Sequence, residues 1–307
     1  MPRFSIILPC FNAEATLGDT LASLQAQTCN DWEAICVDDG SSDTTRALIR
    51  DFASDDPRIV LAQNPGKGPS DARNHGALAV ATGTLIAFCD ADDIWAPSKL
   101  GQLAAVFADP DVHGAFGQIA FFKDQPADAK VFSTVPSADL NIHMLLGENP
   151  VCTMSNVTVR KDIFLASGGF DPSIVHNEDL EWLIRIVGQG ARVVGVNALQ
   201  TYYRTSTGGL SSDLPKMLAG RDRALATAAD YGVVPTGTNH AIHHRYLARR
   251  ALRLGQGRFE PLRHALTGLA HSPSGFLFPL RRGGLTFAAA LSATLLPSRT
   301  SQFLFSR

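Results

Sequence analysis

The first hundred residues alternate between strand-like apolar runs and helix-length amphipathic segments, and this alternation limits the fold more than any other feature of the sequence. The predicted strands are residues 4–8, 32–37, 58–62 and 85–89. The predicted helices between them are residues 15–27, 44–52 and 69–81. Strands and helices in this succession fold as parallel strands joined by right-handed crossovers. The sequence therefore predicts an α/β fold with a doubly wound parallel sheet at its start.

Polar residues follow three of these predicted strands, at residues 9–14, 38–43 and 90–93. The carboxyl ends of parallel strands meet at one edge of the sheet, where open α/β sheets bind their ligands. Taken alone, any one of these loops is equally well explained as a turn that caps the next helix. Three polar strand ends at one edge favour a binding site for a nucleotide-type ligand.

Three carboxylates, Asp90, Asp92 and Asp93, stand within four positions after the apolar run 84–89. Like-charge repulsion raises the pKa of each, so one explanation is a hard cation such as Mg²⁺ or Mn²⁺ among their oxygens. The other explanation is an acidic turn that caps a helix beginning near Pro97. From the residues alone both explanations stay open for the cluster, and we interpret Asp93, which starts the next predicted helix, as the helix cap.

Composition and charge divide the chain of 307 residues into two predicted domains. Residues 1–214 carry 14 Lys/Arg and 26 Asp/Glu, a net charge of −12, whereas residues 215–307 carry 13 and 3, a net charge of +10. The first domain is predicted to be the catalytic one, with a ligand-binding half at 1–110 and a second half at 111–214. Residues 215–307 are predicted to form a basic, mainly helical C-terminal extension.

The five cysteines show no paired ligand spacing, and three of them lie in strand-like runs, which predicts buried free thiols. The N-terminus is already strand-like, so no signal peptide is expected. No apolar run reaches the roughly 18–20 residues of a membrane span. We therefore expect a cytoplasmic protein.

Two explanations are open for the basic extension. Helices are predicted at 238–254 and 259–270, and the apolar stretch 285–296 follows two arginines. This composition fits an element that lies on an anionic membrane at its inner face, and equally helices that pack on a globular domain. The histidines near 243 have no acids or cysteines beside them, so basic surface is favoured over a metal site. The arginines have few aromatic neighbours, which disfavours nucleic acid as a partner.

The second half of the first domain carries another group of acids. Glu178 and Asp179 begin an amphipathic helix after the block Gly168-Gly169-Phe170-Asp171. Acids at a helix start are explained by the helix dipole alone. Before this half, a helix is predicted after Trp95, to about 108. The other predicted elements of the half are an extended segment at 112–122, a short helix at 141–146, and strands at 151–159, 191–196 and 200–204.

Four blocks of the first hundred residues, in the same order, resemble the inverting family-2 glycosyltransferases of GT-A fold. The blocks are Phe4-Ser5-Ile6-Ile7-Leu8-Pro9-Cys10-Phe11-Asn12-Ala13-Glu14, Val37-Asp38-Asp39-Gly40-Ser41-Ser42-Asp43, Ala72-Arg73-Asn74-His75-Gly76 with Ala81-Thr82-Gly83, and Asp90-Ala91-Asp92-Asp93. This resemblance implies a nucleotide-diphosphate sugar as donor and a metal-binding Asp-x-Asp pair at Asp90 and Asp92. It also implies a general base at Asp179, with Glu178 orienting that base or an acceptor hydroxyl.

The resemblance also distributes the remaining residues over the site. The donor side comprises Pro9, Phe11, Asn12, Glu14, Asp39, Asp90 and, late in the domain, Arg204. Lys67 and Arg73 add positive charge at this edge, although either is also explained as a surface cation. The acceptor candidates are Thr153, Asn156 and Trp182, and a buried tryptophan is an equal explanation for the last. Ser206 stands where many members have a histidine near the metal, so the third metal ligand stays unassigned.

These features predict a metal-dependent inverting glycosyltransferase that moves a sugar from a nucleotide-diphosphate donor to a glycan or lipid-linked glycan, in cell-surface polysaccharide or glycolipid assembly. Two alternatives remain at this point. A nucleotidyltransferase also binds nucleotide and metal at a sheet edge, but residues 9–14 contain no Gly, Lys or Arg for a phosphate loop. A non-catalytic protein that binds sugar nucleotides at the membrane is the other.

Overall fold

The computed structural model describes residues 2–205, 214–255 and 257–296, and this part of the chain forms two compact units. The first unit comprises residues 1–140, 150–206 and 215–224, and the second comprises 141–149, 207–214 and 225–307. The sequence predicted a single boundary at residue 214. In the structure, the segment 141–149 belongs to the second unit and the segment 215–224 to the first.

The first unit is built on four parallel strands in the order β3-β2-β1-β4. Their bounds are β1 Phe4–Cys10, β2 Trp32–Asp38, β3 Ile59–Gln63 and β4 Leu85–Phe88. β1 and β4 lie between neighbours and are buried almost throughout, which explains their largely apolar sequences. The predicted parallel start of the sheet is confirmed.

Helices α1 Leu17–Gln25, α2 Thr45–Asp55 and α3 Pro69–Asn74 connect these strands, and α3 continues as a π-helical segment His75–Val80. Gly76 stands where this segment meets the sheet. A Cβ at Gly76 would lie 2.6 Å from the Ile7 side chain and 3.1 Å from that of Val37. A glycine here lets the helix approach β1 closely enough to fix Arg73 over the sheet edge.

The other half of the first unit makes the sheet mixed. It contains β5 Ile94–Trp95, α4 Lys99–Val106, β6 Gly114–Phe122, β7 Val131–Phe132, β8 Val157–Arg160, α6 Lys161–Ala166, α7 Glu178–Gly188 and β9 Val193–Arg204. β8 pairs antiparallel with β4 and with β6, and β6 runs parallel to β9. The fold is therefore α/β with a parallel half and a mixed half.

Two predictions for this half are wrong in detail. Only the end of the predicted strand 151–159 forms a strand, which is β8. The residues before β8 form a 3₁₀ turn at Met154–Asn156, because Thr153 caps this turn through its side chain. The strands predicted at 191–196 and 200–204 form one strand, β9, which is continuous through an irregular register opposite Gly117 and Gln118. The register skips Asn197 and Ala198 between the predicted strands, and then Gln200.

Cys10, Cys36 and Cys89 are buried free thiols within the core, as the sequence predicted. Cys29 is half-buried and Cys152 is exposed. The core around them packs β1 and β2 against α1 and α4, with Trp32 and Trp95 among its largest side chains.

The second unit is helical. It contains α5 Ile142–Gly147, the C-terminal part of α8 Leu214–Asp230, α9 Gly237–Leu254, α10 Glu260–His271, α11 Pro273–Leu277 and α12 Leu280–Leu295. α9 and α10 confirm the predicted helices, and α9 ends at Gly255 with φ of 64°. Alanines and Phe276 form its small core. Among the helices of described residues, none combines the length and the apolar character that a membrane span requires.

Candidate functional site

The ends of β1 and β2 lie side by side and present the residues predicted for the nucleoside. Pro9 pairs in register with Val37, so the two chain segments that follow leave the sheet together. Phe11 is 54% exposed, and the Lys67 Nζ lies 4.5 Å from the centroid of its ring. An exposed aromatic ring at a strand end offers a flat apolar face to a ligand.

Asp39 shares Lys67 with this ring and is nearly buried. Its carboxylate accepts hydrogen bonds from Asn64 Nδ2 at 2.7 Å and from the Gly68 N–H at 3.0 Å. Lys67 forms an ion pair with it at 3.2 Å, although the lysine side chain is 71% exposed. Lys67 is thus brought to the predicted donor edge, but it is held there by Asp39 and Phe11.

Asn12 and Glu14 fix the loop that follows β2. Asn12 adopts a φ of 46°, and its Oδ1 accepts a hydrogen bond from the Ser42 N–H at 2.9 Å. The Glu14 carboxylate accepts hydrogen bonds from the N–H and the hydroxyl of Thr44, which precedes α2. These contacts connect the first two strand ends, and the predicted donor contacts of the two residues stay predictions.

Asp90 lies at the end of β4 with three partners around it. Its Oδ1 accepts a hydrogen bond from Arg73 Nη2 at 2.7 Å, and its Oδ2 accepts one from the Thr153 hydroxyl at 3.2 Å. Its own N–H donates to the Ser155 hydroxyl at 2.8 Å. The backbone and the carboxylate of Asp90 are therefore both fixed in direction.

Asp92, the other acid of the pair, is half-buried and lies close to the charge of Asp90. Burial and the nearby charge of Asp90 raise the pKa of Asp92 to about 6, against the attraction of Arg204. Arg204 lies beside it, with Nε donating to the Asp92 carbonyl at 3.0 Å and Nη2 paired with Asp19 at 3.0 Å. A cation between Asp90 and Asp92 would relieve this repulsion.

The sequence predicted Asp93 to be a helix cap, and this prediction is wrong. α4 begins only at Lys99, and the Asp93 side chain is fully buried, with Oδ1 accepting the backbone N–H of Arg204 at 2.9 Å. Burial, with Asp92 and Asp90 nearby, raises the pKa of Asp93 well above its usual range. Asp93 therefore joins the end of β9 to the loop at 90–93, which we call the acid loop.

Lys99 is a structural partner of the site that the sequence reasoning missed. It is fully buried, and its Nζ donates to the Ser155 carbonyl at 2.6 Å and to the Thr201 hydroxyl at 3.2 Å. Burial lowers the pKa of Lys99 to about 7. The hydroxyl of Ser155 also accepts a hydrogen bond from the Asp90 N–H, so Lys99 supports the acid loop through Ser155. A lysine near a helix start carries no sequence signal of such a role.

Glu178 and Asp179 begin α7 at the same edge of the sheet. The residue before them, Asn177, adopts a left-handed φ of 62°, which turns the chain sharply into the helix. Burial and the charge of Glu178 raise the pKa of Asp179 to about 7, while Arg73 opposes the shift. A carboxylate with a pKa near neutrality is suited to accept a proton.

Arg73 joins the two acidic elements. Its side chain is only 6% exposed, and its guanidinium donates to Asp90 at 2.7 Å and to Glu178 Oε1 at 2.9 Å. The sequence left open whether Arg73 is a surface cation, and its burial excludes that explanation. The strand-end acid and the helix-start acids are thus brought to one place by a single arginine fork.

Two predicted acceptor contacts do not agree with the structure. Asn156 is fully buried, and its amide exchanges hydrogen bonds with the backbone of Gly117 at 3.0 and 2.8 Å. Trp182 is fully buried among Phe88, Phe164 and Phe170, and its Nε1 donates to the Ser167 hydroxyl. Trp182 therefore anchors α7 to the core and does not offer a stacking face.

Comparison with known protein families identifies the family of the chain. The model of the family described as "Glycosyl transferase family 2" matches residues 5–166, which is more than half of the chain. The chain belongs to glycosyl transferase family 2. This family-2 chain is therefore a glycosyltransferase, and the nucleotidyltransferase and the non-catalytic binding protein are set aside.

Two relatives from Escherichia coli match most of this family-2 chain. The UDP-Glc:alpha-D-GlcNAc-diphosphoundecaprenol beta-1,3-glucosyltransferase WfgD is 32% identical over 216 residues, which are 70% of this chain and 81% of WfgD. WfaP, described by the same activity, is 30% identical over 226 residues, which are 73% of this chain and 86% of WfaP.

Solved structures share the fold at low sequence identity. S. aureus TarS 1-349, crystallised with UDP-GlcNAc, has a TM-score of 0.63 at 16% identity and covers 99% of this chain and 91% of its own. The mannosyltransferase PcManGT from Pyrobaculum calidifontis, in complex with GDP-Man and Mn²⁺, has a TM-score of 0.60 at 20% identity and covers 99% and 84%. The fold of the family-2 chain is GT-A, as predicted.

The acid pair of this glycosyltransferase has the chemistry of a magnesium or manganese site. Mg²⁺ is commonly held by one or two carboxylates, with water and substrate phosphates completing its coordination. Among the described residues, no group of three or more His, Cys, Asp or Glu side chains is placed to hold a metal. Asp90 and Asp92 therefore fit a metal that arrives with a diphosphate. Ser206, the departure noted in the sequence, lies outside the described residues.

Proposed function

We propose that this glycosyltransferase is an inverting enzyme that moves a sugar from a nucleotide-diphosphate sugar to a hydroxyl of a lipid-linked glycan, with Mg²⁺ or Mn²⁺ as cofactor, in cell-surface polysaccharide or glycolipid assembly. The observation that carries the proposal is the Arg73 bridge, which holds Asp90 of the donor edge and the start of α7 at one place. The two Escherichia coli relatives act on sugars linked to diphosphoundecaprenol, which supports a lipid-linked acceptor.

In the proposed mechanism the nucleoside lies at the ends of β1 and β2, against the exposed ring of Phe11 and near Asp39. Pro9, Asn12, Glu14 and Lys67 border this pocket. When bound at Asp90 and Asp92, the divalent cation supplies positive charge that stabilises a diphosphate leaving group. Arg204, beside Asp92, adds a guanidinium on the same side.

Asp179 accepts the proton of the acceptor hydroxyl. As it does so, the hydroxyl oxygen attacks the anomeric carbon on the face opposite the diphosphate. The bond to the sugar forms as the bond to the diphosphate breaks, so one in-line displacement inverts the anomeric centre. Glu178 is held by Arg73 and is placed to orient the base or the hydroxyl. Thr153 lies beside Asp90 at the border of the acceptor space.

A lipid-linked acceptor presents its hydroxyl close to a bilayer. We therefore propose that the enzyme works at a membrane surface on the cytoplasmic side, with the basic C-terminal helices as the part that meets the lipid.

The test of the function is release of nucleoside diphosphate from a panel of UDP- and GDP-sugars, with Mn²⁺ and a short polyprenyl-diphosphate-linked sugar as acceptor. Acceptor-dependent release of one nucleoside diphosphate, with a new β-linked product from an α-linked donor, is expected. A product that keeps the donor's anomeric configuration would contradict the inverting mechanism.

Removal of one metal-side acid should weaken donor binding only when metal is present. Asp92→Asn is expected to weaken Mn²⁺-dependent donor binding by about ten-fold or more, because the cation loses one of its two protein carboxylates. Thermal shift with donor, with and without Mn²⁺, measures this effect, since a bound ligand stabilises the fold according to its affinity. Asp55→Asn, on the exposed side of α2, is the matched control. An unchanged Mn²⁺ effect in Asp92→Asn would remove Asp92 from the metal site.

The pH profile should report the base. Because the pKa of Asp179 is raised to about 7, kcat/KM should fall about ten-fold for each pH unit below 7, as the carboxylate becomes protonated. Initial rates at subsaturating donor and acceptor between pH 5 and 9 measure this limb. A rate that stays flat down to pH 5 would contradict a base with this pKa.

A further inference from the structure

Helix α12 buries small side chains and exposes several of its large apolar ones. Its buried residues are the small ones, Gly283, Thr286, Ala290 and Ala293. Phe287 packs partly against the core of the unit, but three leucines face outward, with Leu285 64%, Leu291 47% and Leu295 81% exposed. A helix packed on a globular domain normally turns its large apolar side chains inward. The outward leucines of α12 therefore call for a partner.

Close packing fixes this orientation. A Cβ at Gly283 would lie 2.2 Å from the carbonyl oxygen of Phe276 and 2.4 Å from that of Leu277, so the start of α12 touches the backbone of α11 directly. Farther along, Ala290 belongs to the core that surrounds Phe276. The buried positions of this contact face carry small side chains, Phe287 packs partly against the same core, and the three exposed leucines lie away from it.

Two further apolar side chains are exposed at the start of α12 and just before it. Phe278 is 61% exposed and Leu280 is 59% exposed. Together with the three leucines they form what we call the α12 face: Phe278, Leu280, Leu285, Leu291 and Leu295. Surfaces of this kind with a polar border mark interaction sites.

Arginines border the α12 face at both ends. Arg281 is exposed at the start of the helix, and Arg282 beside it is 39% exposed. At the other end, the exposed Arg258 donates to the carbonyl of Leu296 at 3.4 Å. No Asp or Glu occurs after Glu260 in the chain.

Three arginines near the start of the helix share one carboxylate among the described residues. Arg282 and Arg249 both pair with Glu148, at 3.0 and 3.1 Å, and Arg245 lies 3.9 Å from the same carboxylate. One acid thus faces three guanidiniums. This apolar face has an excess of positive charge at its border. It therefore complements a layer whose surface is anionic and whose interior is apolar.

We propose that the α12 face binds an anionic phospholipid bilayer in the plane of its surface. The five apolar side chains enter the boundary between headgroups and acyl chains, and Arg258, Arg281 and Arg282 contact lipid phosphates. The 16 residues of α12 give this contact a length of about 24 Å. The inference rests on the proposed function for its purpose, since it brings the enzyme to a lipid-linked acceptor. Its test uses neither donor nor acceptor.

The test is flotation of the full-length protein with vesicles of phosphatidylglycerol and phosphatidylcholine, and with vesicles of phosphatidylcholine alone. The wild type is expected to float with the anionic vesicles and about ten-fold less with the neutral ones. Leu285→Glu is expected to reduce flotation with anionic vesicles by about ten-fold, because it places a carboxylate in the apolar contact. Leu165→Glu is the matched control, since Leu165 is 50% exposed but lies on α6 in the first unit.

Both substituted positions are exposed, so both variants should keep the thermal unfolding temperature of the wild type. Three results would overturn the proposal: a wild type that does not float, as expected if residues 297–307 or a second copy cover the face; equal flotation of Leu285→Glu and wild type; or an equal loss in Leu165→Glu. Because flotation is independent of turnover, an inactive protein that floats would contradict the proposed function and not the membrane face.

Discussion

Asp179→Asn is expected to lower kcat by about 10²- to 10⁴-fold, the usual contribution of a general base, while the affinity for the nucleotide-sugar donor stays within about two-fold of the wild type. The substitution keeps the size of the side chain and removes its ability to accept a proton. Asp179 begins α7, whereas the predicted donor residues lie at the strand ends. Single-turnover rates with labelled donor, together with donor binding by calorimetry, separate the two effects.

The same variant should be more stable than the wild type at high pH. In the folded protein the pKa of Asp179 is about 7, above the value of about 4 for an unfolded aspartate. The folded state therefore holds the proton more tightly, and its stability falls as the pH rises through this window. Asparagine avoids that loss, so the unfolding temperature of Asp179→Asn should exceed that of the wild type at pH 8 and match it at pH 4.

Asp162→Asn is a suitable control for both measurements, because Asp162 is an exposed acid in the first turn of α6 and lies outside the site. An Asp179→Asn variant that retained most of its activity would end the assignment of the base. An inactive variant that was also destabilised at pH 8 would instead indicate that the residue has a structural function.

The sequence predicted the parallel half of the fold well, because its elements depend on local pattern. β1 and β4 are largely apolar, as expected for strands buried on both faces, and the turns between elements carry Gly, Asp and Ser. The alternation of strands and helices then left little choice of topology. The second half was harder to predict, since β9 pairs in parallel with β6 and passes through a register shift. Such long-range pairing leaves no short-range trace in the sequence.

At the site, the sequence indicated which residues meet but not what each one contacts. Asn156 and Trp182 are polar or amphipathic residues close to the site in sequence, yet both are buried and hold the scaffold. Asp93 adjoins Asp92 in sequence, but it bonds to the backbone of β9. Burial of a polar residue depends on how distant strands close over it, so these contacts could be read only from the structure.

Arg73 is expected to be the arginine of the first unit whose loss is most damaging. Its guanidinium is buried and faces two acids from different parts of the chain, Asp90 and Glu178. Arg73→Met should lower the free energy of unfolding by about 3–5 kcal/mol, because the acids would be left without their buried partner. Arg73→Lys should recover only part of this loss, since an ammonium group cannot reproduce a planar fork that reaches both acids.

Arg192→Met provides the matched control. Arg192 also pairs with two acids, Asp109 and Asp139, but its side chain is 43% exposed, so its loss should destabilise the protein far less than the loss of Arg73. Urea unfolding of the three variants measures the difference. Equal costs for Arg73→Met and Arg192→Met would contradict the buried bridge.

Activity should change in a way that stability alone does not explain. Arg73 opposes the upward shift of the pKa of Asp179, so its removal should raise that pKa further. The acid limb of the pH profile of kcat/KM in Arg73→Met should therefore move to higher pH, measured at a temperature where the variant is fully folded. A loss of activity with the limb unmoved from the wild-type position would show that Arg73 only stabilises the fold. A displaced limb would show that the arginine joining the strand-end acid to α7 also sets the proton affinity of the base.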